Sequence, residues 1–130
     1  MKKDPEPSPV GQTRLSEINP IELVMRGYRE REPMTYCVEI KRNSVHHPVI
    51  VISRSVYPDT DRELVTRIPF NSVLKYFAVH RGRQQSFTCF DDENPPQQIP
   101  LVITQLRERP PEVCITTTDG WGIRPCQHCR

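Results

Sequence analysis

Residues 18–28 read Ile18-Asn19-Pro20-Ile21-Glu22-Leu23-Val24-Met25-Arg26-Gly27-Tyr28, and the fold class follows from how they are read. Asn19 is a good helix cap, Pro20 suits the first helical position, and Glu22 completes a capping box three residues after the cap. Ile18 before the cap packs on Leu23 as a hydrophobic staple. Ile21, Val24, Met25 and Tyr28 repeat at i, i+3, i+4 and i+7, one stripe of a helix. The stretch therefore predicts a helix that frays near Arg31-Glu32-Pro33.

Downstream the period changes. Met34, Tyr36, Val38 and Ile40 alternate with Thr35, Cys37, Glu39 and Lys41, the pattern of a strand with one buried face. Asn43-Ser44 is a turn signal. Pro48 to Val56 follows as a second strand, and Val49-Ile50-Val51-Ile52 makes it an interior one, covered on both faces. After the turn at Tyr57-Pro58-Asp59-Thr60-Asp61, Glu63 to Ile68 completes a meander. Phe70, Val73, Leu74, Phe77 and Ala78 then fall on one helical stripe, with Asn71 or Ser72 as cap and Gly82 as terminator. Gln85 to Phe90, Ile99 to Leu106 and Val113 to Thr118 are weaker strands. The expected fold is α+β: a mainly antiparallel, twisted sheet of five or six strands with two helices, in the order α-β-β-β-α-β-β-(β).

In the 130-residue chain, residues 1–14 are polar and proline-punctuated and predict a disordered tail. Residues 15–118 form one domain, and residues 119–130 an irregular tail ending in a Cys-x-x-Cys pair. The N-terminus lacks an apolar signal core and no stretch has the length of a membrane span. Five cysteines fit a reducing compartment. A cytoplasmic or nuclear protein is the expectation.

Net charge is +2 but uneven. Residues 26–83 carry eleven basic and six acidic side chains (+5), against −1 before them and −2 after. Arg26, Arg29, Arg31, Lys41, Arg42, Arg54, Arg67, Lys75, Arg81 and Arg83 surround the sheet and second helix, with Tyr36, Tyr57, Tyr76 and Phe87 interleaved. Single-strand binders combine a basic groove with aromatic faces on which bases stack. Lys41, Arg42, Arg54, Tyr57, Arg67, Lys75, Arg81 and Arg83 are accordingly the candidate binding residues, and Lys41, Arg54 and Arg67 share one sheet face if the register allows. Arg and Tyr serve a protein partner equally well. The strands bounded by Pro100, Pro110 and Pro111 are candidates for an open edge that accepts a partner strand.

Catalytic signatures are missing: there is no Gly-x-Ser-x-Gly and no phosphate-binding glycine loop. His80 suits a helix C-terminus. His46 and His47 point apart in any extended segment, and the Asp59-Asp61-Glu63 and Asp91-Asp92-Glu93 groups suit turns. Cys126-Gln127-His128-Cys129 is half a zinc site. Cys126 and Cys129 with Cys114, plus Cys89, Cys37 or His128, would complete it, and a dimer sharing the site is an alternative. Cys37 and Cys89 otherwise pack as small apolar residues in a sheet.

The leading expectation is a non-enzymatic intracellular interaction or regulatory (adaptor) protein without a cofactor, acting on another protein through a sheet face or edge and flexible tails. A homodimer is compatible with it. The alternative is a single-stranded nucleic-acid-binding module using a basic sheet face, with or without a C-terminal zinc.

Overall fold

The computed structural model describes residues 13–14, 20–25, 34–56, 61–81, 86–109 and 112–126. They form two antiparallel sheets and one short helix. The elements are β1 (Thr13–Arg14), β2 (Ile21–Met25), β3 (Met34–Arg42), β4 (Pro48–Val56), β5 (Glu63–Pro69), α1 (Phe70–Val79), β6 (Ser86–Phe90), β7 (Gln98–Arg107), β8 (Glu112–Thr116) and β9 (Trp121–Pro125). One sheet has the order β5-β4-β3-β2-β9, the other β1-β8-β7-β6.

This corrects the α+β expectation. The fold is mostly antiparallel sheet, divided between two sheets, with a single helix among the described residues. The decisive segment is a strand: Ile21 pairs with Val38 and Leu23 with Tyr36 on one side, and Leu23 with Ile123 on the other. Five residues offer too little chain for a stable helix, whose stability comes mainly from packing an amphipathic face. As a strand, the same five satisfy their backbone groups between two neighbours. Glu22 is no capping residue but lies buried in the middle of that strand.

Alternation was the reliable signal elsewhere. The β3–β4 meander keeps its register along its whole length, from Met34↔Val56 to Arg42↔Pro48. It is closed by a turn in which Asn43 Oδ1 accepts the N–H groups of Val45 and His47, each at 3.0 Å. β4 is interior, as its apolar run implies, and pairs β5 with a bulge at Ile52/Ser53.

The second helix exists as the stripe predicts, burying Val73 and Phe77. Its start differs: Pro69 is the cap residue and no side chain caps it. Its end is at Val79, with His80 N–H bonded to Tyr76 O at 3.1 Å, and Gly82 lies outside the described residues. β9 carries no period, yet it pairs with β2 over all five residues. Its Trp121 ring packs on Tyr36, with centroids 5.7 Å apart.

The sheets pack face to face over one core. Leu23, Val38, Ile50 and Ile52 come from the five-stranded sheet, Ile99, Leu101, Ile103 and Ile115 from the four-stranded one, and Val73 and Phe77 from the helix. Each fully buried aliphatic side chain contributes about 1.5–3 kcal/mol relative to exposure. The alternating residues that do not enter this core form two outer faces, where the functional candidates lie. No helix among the described residues is long and apolar enough to cross a membrane.

Candidate functional site

The outer face of the five-stranded sheet carries a polar cluster built by strand register. Glu22 in β2 lies directly across from Cys37 in β3 and from Arg124 in β9. All three point away from the core, because Ile21, Leu23, Tyr36 and Ile123 point into it. Glu22 is 1% exposed. A carboxylate so buried is costly unless paired, and two arginines supply the pairing. Arg124 Nε donates to Glu22 Oε2 at 3.3 Å, and Arg62 Nη2 lies 3.7 Å from Oε1. The arginines keep 17% (Arg62) and 23% (Arg124) of their side-chain surface in solvent, so each long stem covers the site while the heads stay partly wet.

Two sulfurs complete the cluster. The chain turns over this face immediately after β9, fixed by the Cys126 N–H bonded to Pro20 O at 3.0 Å. Cys126 Sγ then lies 3.5 Å from Cys37 Sγ and 3.6 Å from Arg62 Nη2. Cys37 is fully buried and disulfide-bonded. It therefore has no S–H, and the Cys126 thiol is the donor of the pair. Arg62 Nη1 is buried without a hydrogen-bond partner among the described residues.

The sequence-derived sites fare unevenly. Cys114 is not brought to Cys126: it pairs with Thr104 in the other sheet and faces away from the core there, on the opposite side of the sandwich. Cys37 takes the place beside Cys126, and Cys129 and His128 lie outside the described residues. No group of three or more His, Cys, Asp or Glu side chains among the described residues converges on a metal position.

Lys41, Arg54 and Arg67 do not share a face. Lys41 lies across from Val49 and Arg67 across from Val51, both on the outer side, whereas Arg54 lies across from Tyr36 on the core-facing side. Arg54 reaches out from the sheet's end to pair with Glu63 at 3.6 Å. Lys41 sits 3.8 Å from Glu39, and Arg81 pairs with Glu108. Arg42 donates to His46 O at 2.9 Å, inside the turn that also holds His47. Lys75 is exposed on α1. Arg26, Arg29, Arg31, Tyr57 and Arg83 lie outside the described residues.

Asp91 accepts the N–H groups of Glu93 and Gln97 at 3.1 and 2.8 Å, so that carboxylate organises its loop. Of the edge candidates, β7 is interior and β8 has β1 beside it at Cys114 and Ile115. β6 and the two-residue β1 are the strands of this sheet that pair on one side alone among the described residues.

Burial also sets two titrations. It pushes the Cys89 thiol up to about 12 from 9.0. It raises Tyr36 from 10.0 as well, against the lowering effect of the neighbouring Arg54. A group whose folded pKa is raised contributes stability that is whole below its unfolded pKa and is lost as pH rises toward the folded one. The chain should therefore lose stability between about pH 9 and about pH 12. Urea midpoints at about pH 8 and about pH 10.5 check this. The fall expected in the wild-type chain is smaller in Cys89→Ala, whose cavity costs the same at both pH values. Equal falls in both chains would mean that Cys89 does not carry the effect.

No family model, curated protein or solved structure matches this chain.

Proposed function

We propose that the chain is a non-enzymatic interaction protein whose partner is another protein, engaged through the outer face of the four-stranded sheet and its open β6 edge. The observation that carries this reading is the chemistry of that face. Thr88, Val102, Thr104 and Thr116 point outward along its middle, alternating with the core residues Cys89, Leu101, Ile103 and Ile115. Phe90 at the end of β6 and Leu106 near the end of β7 are about half exposed, at 51% and 50%. None of these six side chains carries charge, in a chain where 26% of residues do. Glu112, at the start of β8, is the acid at its rim. Depletion of charge with aromatic and aliphatic anchors is the composition of an interface centre. The side of β6 that pairs with no strand among the described residues adds main-chain groups for an extended partner segment.

The cations support the same choice. Lys41, Arg54, Arg62, Arg81 and Arg124 each have a carboxylate within ion-pair distance. Such pairs add little stability where exposed, but they neutralise the charge that a phosphate backbone needs to meet. Nucleic-acid binding of the kind read from the sequence rests on unneutralised Lys and Arg releasing counterions.

Fluorescence-anisotropy titration of short labelled single-stranded DNA and RNA discriminates the two. At low salt, where weak phosphate contacts are strongest, no saturable binding is expected. Binding that weakens steeply as salt is raised would overturn the protein-partner reading in favour of a nucleic-acid module.

A further inference from the structure

The second half of α1 and the end of β7 flank a cavity that no side chain of the core fills. Its volume is about 120 Å³, and Leu74, Phe77 and Ala78 of the helix line it together with Gln105 of β7. Arg81 and Glu108, just past the ends of those two elements, stand at its rim as an ion pair. We propose that this cavity binds a free branched-chain α-amino acid, the aliphatic chain inside and the zwitterionic head on the Arg81–Glu108 pair.

Size sets the apolar end of the ligand. Pockets for drug-sized molecules span about 300–1,000 Å³, so this one admits a single group the size of a side chain. An apolar cavity of about 150 Å³ takes benzene, and a branched chain of four carbons suits the smaller space. The base is apolar: Phe77 is 1% exposed and belongs to the core. Gln105 continues the core-facing phase of Leu101 and Ile103 and adds an amide that can donate and accept.

Charge sets the other end. Arg81 Nη2 donates to Glu108 Oε1, while 66% and 51% of the two side-chain surfaces remain in solvent. A guanidinium has five N–H donors and a carboxylate two oxygens, so both groups keep capacity after pairing. A ligand carboxylate on the remaining Arg81 donors and a ligand ammonium on Glu108 complete a ring of alternating charge. Neither protein group has to give up its partner. A purely anionic ligand would add a like-charge contact with Glu108, and a purely cationic one with Arg81. An α-amino acid carries both charges beside its side chain, and so complements the pair and the cavity together.

The bound molecule would tie the end of α1 to the end of β7 and stabilise the fold by mass action. The cavity lies on the helix side of the four-stranded sheet, away from its uncharged outer face. The inference therefore stands or falls apart from the protein-partner reading.

The test is a titration of the isotope-labelled full chain with L-leucine, followed by two-dimensional amide NMR. Saturable shifts are expected at Leu74, Ala78, Arg81 and Gln105. Isocaproate, which lacks the ammonium, and isoamylamine, which lacks the carboxylate, should each bind about tenfold more weakly, the worth of one charged hydrogen bond. Arg81→Gln and Glu108→Gln should weaken leucine by a similar factor. Ala78→Leu fills the cavity from an exposed helical position, where leucine is well tolerated, and should abolish binding. The absence of any saturable shift up to the solubility of leucine overturns the proposal. So does N-acetyl-leucinamide binding as tightly as leucine, because the cavity would then read a side chain such as a protein presents. Leucine binding retained in a folded Ala78→Leu would put the ligand elsewhere and overturn the site.

Discussion

Glu22→Ala is expected to cost about 3–5 kcal/mol of folding stability, the penalty for removing one partner of a buried ion pair. The removed carboxylate is 1% exposed and is the shared acceptor of Arg62 and Arg124. Without it Arg62 and Arg124 both lose the buried carboxylate they share. Partial exposure of both arginines lets water screen some of this, which places the effect toward the lower end of the range. Even so, it is a large fraction of the 5–15 kcal/mol typical of a domain. Arg124→Ala should cost less, because Glu22 keeps Arg62 and the lost group was partly solvated. Urea unfolding followed by the fluorescence of Trp121 reports the change directly, since that residue is the chain's single tryptophan and lies in β9, the strand that Arg124 anchors. A loss below about 1 kcal/mol, the value of an exposed ion pair, would show that the cluster does not hold the sheet together.

That same residue shows what sequence reading could and could not reach. Glu22 fits a capping box as well as it fits a strand, and local chemistry favours the helix: Asn19, Pro20 and the Ile21-Val24-Met25 spacing all agree. The contest was decided by partners far along the chain, β3 on one side and β9 on the other. β9 was hidden because Trp121-Gly122-Ile123-Arg124-Pro125 contains Gly and Pro and has no clear alternation. By contrast β3, β4, β5 and α1 announced themselves through sustained periods that burial alone enforces.

At the site, the Cys-x-x-Cys spacing drew attention to Cys126 but suggested Cys114 as its companion. The register instead turned Cys114 outward on the other sheet. The usable clue to Cys37 was its phase, opposite to Met34, Tyr36, Val38 and Ile40. The clue to Glu22 was an acid embedded among Ile21, Leu23 and Val24. Neither clue names Arg62, which reaches the cluster from the end of a loop. The basic face dissolved for the same reason: a register that pairs Tyr36 with Arg54 puts Arg54 on the opposite side from Lys41 and Arg67.

The second large effect concerns the uncharged face. Phe90→Glu is expected to abolish partner binding while leaving stability within about 0.5 kcal/mol, as for surface substitutions away from special features. Phe90 is 51% exposed at the end of β6, so a carboxylate there is solvated in the free protein. Docking of an apolar partner surface would strip that solvation with no cation among Thr88, Val102, Thr104 and Thr116 to compensate, a desolvation cost of several kcal/mol. Against a nucleic-acid ligand the same change would act merely as one repulsive charge at the margin.

The most direct measurement is site-specific photo-crosslinking in an extract of cells that make the protein, with a photoreactive phenylalanine analogue at Thr88 and, as control, at Val45 in the β3–β4 turn, 61% exposed. The account predicts a discrete protein adduct from Thr88, absent from Val45 and lost when Phe90→Glu is added. Nucleic-acid adducts at Thr88, or the same adducts from both positions, would contradict it.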